Sequence, residues 1–169
     1  MKYLIHFFAL LVSVSVFAQG NDGPVRIEIE SRAEVFELVP CNQLGVLVFY
    51  ESIREIDEQT KSWVFIFYDN KLNPQWSKEL PVYRDFVYTD HFLDGENIFL
   101  AFQKKEKARR DEFNFQLTRL NLLDAGVKSE GMFVPDKAAL INFEVSGQTF
   151  AAGFNFGKDE ALLLARNLN

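Results

Sequence analysis

Histidine and cysteine are nearly missing from this chain: its 169 residues hold two of the first and one of the second. His6 falls in a leader-like N-terminus, which leaves His91 alone for the rest of the chain. A histidine pair on a metal, a His-Cys zinc site and a Ser-His-Asp triad with a His to spare all need more. The single Cys41 forbids an internal disulfide. Its flank, Val39-Pro40-Cys41-Asn42, reads as a strand end, where a half-buried thiol acts as a small hydrophobe. A Cys41–His91 dyad is formally available, yet no third group orients it.

Other signatures are missing too. Neither GxxxxGK[ST] nor GxGxxG occurs, so no phosphate loop is signalled. Asp57-Glu58 and Asp69-Asn70 put oxygen ligands in loops, but no Asp-x-Asp-x-Asp run with a later Glu makes a calcium loop. No Asn-x-Ser/Thr sequon is present. Basic residues are outnumbered, 18 against 24 acidic. That balance argues against nucleic-acid or anionic-membrane partners.

The N-terminus carries an export address. Lys2 supplies the positive start, Leu4 to Phe17 is apolar, and Val16-Phe17-Ala18 fits a signal-peptidase site before Gln19. The run is shorter than the ~20 residues that span a bilayer. Gln19 stands where a lipoprotein needs Cys. The expected division is a signal peptide over 1–18 and one β-repeat domain over 19–169, exported to the periplasm or beyond. Losing Lys2 leaves 17 basic and 24 acidic side chains, 17 − 24 = −7.

What the chain does have is apolar and aromatic strand sequence, with 18 Phe, and a repeat. Apolar strands end in Phe49, Phe102 and Phe154, spaced by 53 (102 − 49) and 52 (154 − 102) residues. A period of that size marks a propeller or another repeat fold. Each copy reads as strands a to d. Strand a covers 33–39, 85–93 and 138–145, and strand b ends in the Phe. Strand c covers 63–68, 113–120 and 161–165, and strand d covers 76–80 and 127–133. The third copy has no d. Val25-Arg26-Ile27-Glu28-Ile29 alternates like a d strand, 51 residues before Trp76 (76 − 25). The Val46–Tyr50 and Val64–Tyr68 runs suit strands covered on both faces, whereas Phe113, Phe115 and Leu117 alternate with polar residues like a half-exposed strand. No helix is signalled. The expected fold is all-β, with four-stranded antiparallel repeats arranged propeller-like. The copies could be a fragment of a larger propeller, half of a six-sheet homodimer, or a β-trefoil.

Phe67-Tyr68-Asp69-Asn70-Lys71-Leu72-Asn73-Pro74-Gln75-Trp76 resembles the strand, Asx turn and Trp of propeller-like repeats in uncharacterised exported bacterial proteins. Gly153-Phe154-Asn155-Phe156-Gly157, leading into Ala161 to Asn167, is similar to the Gly-rich hairpin and closing strand of such a repeat. The likeness extends loosely over all three copies. It implies a propeller architecture, commonly with more blades, and brings no catalytic residues.

Paired acids are the remaining chemistry. Asp90, Asp94 and Glu96 flank one a–b turn, and glycosidases need two carboxyls ~5–10 Å apart. The loops between strands b and c differ most between copies: Glu51 to Lys61 leans acidic, Lys104 to Asp111 is basic, and Phe156 to Glu160 is tight. Variation on one face is how scaffolds carry binding. The sequence thus reads as a non-catalytic exported module presenting loops to a protein or glycan. No catalytic, metal or cofactor residue is assigned. An exported carbohydrate-active enzyme and an inactive fragment of a longer protein are the alternatives.

Overall fold

A computed structural model describes residues 26, 28, 31–104 and 113–168, without the side chains of 31–35. The leader over 1–18, most of the 25–29 strand and most of the basic loop after Lys104 lie outside the described residues. Among the described residues there is no helix, and eleven strands form three sheets. The first sheet is β1 (Ser31–Pro40), β2 (Val46–Glu55), β3 (Thr60–Tyr68) and β4 (Pro74–Tyr83). The second is β5 (Phe86–Asp94), β6 (Asn97–Lys104), β7 (Phe115–Asn121) and β8 (Val127–Met132). The third is β9 (Ala139–Ser146), β10 (Thr149–Phe156) and β11 (Glu160–Asn167).

Each sheet is an antiparallel meander built from one sequence copy. Turn chemistry sets the a–b corners: Asn42, Gly95 and Gly147 all take φ between 53° and 59°, the left-handed region open to Gly and Asn. Every sheet has two ends, so no barrel closes. The trefoil alternative, which needs strands of different copies to pair around a barrel, does not fit.

The second sheet lies between the other two. Along β6, Ile98, Leu100 and Phe102 join Leu47, Phe49, Trp63 and Phe65 of the first sheet in one core. Phe99 and Ala101 join Phe143, Phe150 and Phe154 of the third sheet in another. Burying each large apolar side chain contributes about 1.5–3 kcal/mol. Cross-sheet hydrogen bonds fix the stacking. Trp76 Nε1 donates to the Leu122 carbonyl at 2.7 Å. The Gln103 amide donates to the Ala138 carbonyl and accepts from Leu140 N.

Three expectations need correction. The Phe repeat conceals a slip. Phe49 faces the sheet that follows it, 5.1 Å from the Tyr88 ring, whereas Phe102 and Phe154 face the sheets that precede them. A five-residue corner over 41–45 replaces the two-residue corners after β5 and β9, and a one-residue slip turns a whole strand over. Second, β7 is not half-exposed: Gln116 and Thr118 are buried along with Phe115 and Leu117. Third, residues 51–61 are not one loop. The β2–β3 hairpin pairs Glu51 with Trp63 and Glu55 with Lys61 across a bulge, so the loop shrinks to 56–59.

Candidate binding site

A cavity of about 500 Å³ opens between β4 of the first sheet and β7–β8 of the second. That falls within the ~300–1,000 Å³ range of small-molecule sites. Its two walls differ in chemistry. On one, alternation along β4 turns Leu80 and Val82 inward, and Tyr83 closes the rim at 44% exposure. Phe113 stands edge-on to Tyr83 at 5.7 Å and lies over Gly131, where any Cβ would come within 2.7 Å of the ring. A glycine there is what lets the aromatic wall form. On the other wall, Gln116 Nε2 donates to Thr118 Oγ1 at 3.0 Å, and the Thr118 and Ser129 hydroxyls share a bond of 2.9 Å. Among the described residues, no charged side chain lines the cleft. An aromatic rim beside hydroxyls and an amide suits an uncharged ligand with alternating C–H faces and hydroxyls.

Two further hollows open at the end of the sheets that carries the b–c and d–a connections. One, of about 450 Å³, lies between the second and third sheets around Tyr88, Gln103, Asn114 and Lys137. The other, of about 390 Å³, lies at Glu55 to Glu58 and Arg84. Asn114 shapes the first by binding the backbone of Val134 through both ends of its amide, each at 2.8 Å. Lys104 is spanned by Asp85 at 2.7 Å.

The residues singled out by sequence do not converge. Cys41 is fully buried and its Sγ donates to the Val39 carbonyl, and burial pushes the thiol pKa up, away from the reactive thiolate. His91 Nδ1 instead shares a 2.7 Å bond with the Tyr88 hydroxyl. Burial above all, then the nearby Glu37 and Asp90 carboxylates, drives the Tyr88 pKa far upward, which keeps the phenol protonated. Asp90 accepts from His91 N, and Asp94 lies four residues further along β5, roughly 13 Å at 3.3 Å per residue. Glu96 sits exposed beyond Gly95. That spacing separates Asp90 from the other two beyond glycosidase range.

The loop carboxylates are occupied by their own turns. The Thr60 hydroxyl, then the Gln59 and Thr60 amides, hold the Asp57 carboxyl below the usual carboxylate range. The Asn73 backbone and side chain do the same for Asp69. Among the described residues no group of three His, Cys, Asp or Glu is placed to hold a metal ion. Sequence reading missed Gln116, Thr118 and Ser129. The alternation of Gln116 and Thr118 with apolar residues was a signal, but it spoke equally for a solvent face, and Ser129, between Lys128 and Glu130, carried none.

No protein-family model, curated protein or solved structure matches the chain.

Proposed function

We propose that the chain is a non-catalytic, exported binding module of propeller-type sheets, and that the cleft between its first two sheets takes an uncharged, hydroxyl-rich ligand such as a glycan end. The cleft carries this reading: its aromatic rim offers a stacking surface, and Gln116, Thr118 and Ser129 offer hydrogen bonds without charge. The approach of β5 to β9, the first strands of the second and third sheets, supports the propeller element at that junction, since blades bring their first strands to a common axis. Among the described residues, β1 and β5 make no comparable approach. The leader-like residues 1–18 support export.

Binding of neutral oligosaccharides to the chain from Gln19, followed by calorimetry across a broad panel, is the test. Tyr83→Ala and Gln116→Leu are expected to weaken the response at least tenfold without loss of folding. Silence across the panel sinks the glycan reading. Hydrolysis that depends on Asp90 or Asp94 replaces the binding module with an enzyme.

A further inference from the structure

We infer that the outer edge of β11 accepts residues 25–29 of a second copy as a fourth strand, so that two chains exchange N-terminal segments. The observation is a contrast between edges. In the first two sheets the last strand is defended: β4 carries Pro74, Pro81, Lys78 and Glu79, and β8 is six residues with Lys128, Glu130 and Gly131. Prolines, charges and short length are how proteins stop strands from pairing with other chains. β11 has none of these in its middle. Ala161 to Ala165 are five apolar residues in succession, Leu163 is 77% exposed, and the β10–β11 ladder runs through eight pairs without a bulge.

The occupant is named by pattern. Val25-Arg26-Ile27-Glu28 repeats Val127-Lys128-Ser129-Glu130 of β8 at a distance of 102 residues (127 − 25), two periods of the repeat. The cation and carboxylate pair in both, Arg26 with Glu28 at 3.2 Å and Lys128 with Glu130 at 3.8 Å. Arg26 and Glu28 stand outside any strand, and their side chains are 85% and 80% exposed. Carrying the β7–β8 register over sets Ile27 opposite Leu164 and Arg26 opposite Ala165. Val25, Ile27 and Ile29 then share the inner face with Leu162 and Leu164, which already border the second core.

Reach decides between the same chain and another. Ser31 is paired with Ser52 in the first sheet, and two residues from Ile29 to Ser31 span about 7 Å. β11 lies beyond the second sheet, two sheet spacings or about 20 Å away. The segment therefore reaches β11 only in another copy, and reciprocal exchange closes as a two-fold dimer.

The test needs no ligand and is independent of the cleft. Sedimentation of the chain from Gln19 is expected to give a dimer, and deletion of 19–30 a monomer. A monomer from the undeleted chain, or a dimer that survives deletion, overturns the inference. Because a bared edge invites aggregation, a second measurement stands apart: Arg26→Cys with Ala165→Cys, oxidised mildly. Cys41, fully buried, does not compete. A disulfide at twice the chain mass supports exchange, whereas one at single-chain mass, or none, refutes it.

Discussion

The two interfaces of the middle sheet are built from the same strands and differ in kind. Between the first and second sheets, Phe49, Phe65, Trp63, Tyr88 and Phe102 form a run of rings with centroids 5.1–6.2 Å apart. The face is closed by four strands on each side and by Trp76 bonding across. Between the second and third, Phe115, Phe143, Phe150 and Phe154 form a smaller ring group, and three strands face four. Arg166 and Glu130, 3.5 Å apart, stand at that margin. The contrast teaches that β6 serves two cores by strict alternation, and that strand number decides how completely each is sealed.

Large-to-small changes on β6 and β10 break this comparison most directly. Phe102→Ala removes a ring that touches Trp63 at 5.3 Å and is expected to cost about 4–5 kcal/mol, because four strands on each side hold the cavity open. Phe154→Ala, at the three-stranded face of the chain lacking residues 19–30, is expected to cost nearer 3 kcal/mol, since an edge left open relaxes into the space. Urea unfolding of both variants gives the numbers. Equal losses would mean that the third sheet is as tightly held as the first.

A second test lies where the aromatic run ends. Lys61, with 6% of its side chain exposed, meets Glu51 at 2.6 Å and lies 5.9 Å from the centre of the Trp63 ring. Lys61→Met removes the cation that faces a mostly buried carboxylate and is expected to cost about 3 kcal/mol. Glu51→Leu added to Lys61→Met should recover most of that, because a well-packed apolar pair replaces an ion pair at little cost. A double variant as unstable as the single one would show that Glu51 acts through other partners.

These residues also mark how far sequence reading reaches. The eleven strands and their grouping by copy were legible, because apolar runs broken by Asn, Asp and Gly are local signals. Which face each strand turns to its neighbour was not. Phe49 shares its place in the motif with Phe102 and Phe154, yet a longer corner at 41–45 turns it to the opposite side. Glu51 and Lys61 looked like loop charges because nothing in their spacing reveals a bulged ladder that brings them together. Gln116 and Thr118 looked solvent-facing because alternation reports two different faces without saying what covers either. The cleft depended on that missing fact, since it exists only where two sheets meet.

The smallest expected effect compares the c–d corners of the first two sheets. In the first, ionised Asp69 accepts from Lys71 N at 2.8 Å and Asn73 N at 2.9 Å. In the second, the neutral amide of Asn121 accepts from Leu123 N at 2.9 Å and Asp124 N at 3.2 Å. Both are Asx turns, but the acceptor that opens the turn is charged only in the first; in the second the carboxylate comes later, where Asp124 accepts from Gly126 N at 2.7 Å. The Asn73 backbone amide leads in holding the Asp69 carboxyl below its ordinary value, so its contribution is complete above about pH 4 and fades as pH falls through the depressed folded value. Asp69→Asn copies the second corner into the first. The variant should melt slightly below the parent at neutral pH, with the gap closing under acid. A gap that stays constant down to pH 2 would mean that the corner is held by shape alone, and that its charge is incidental.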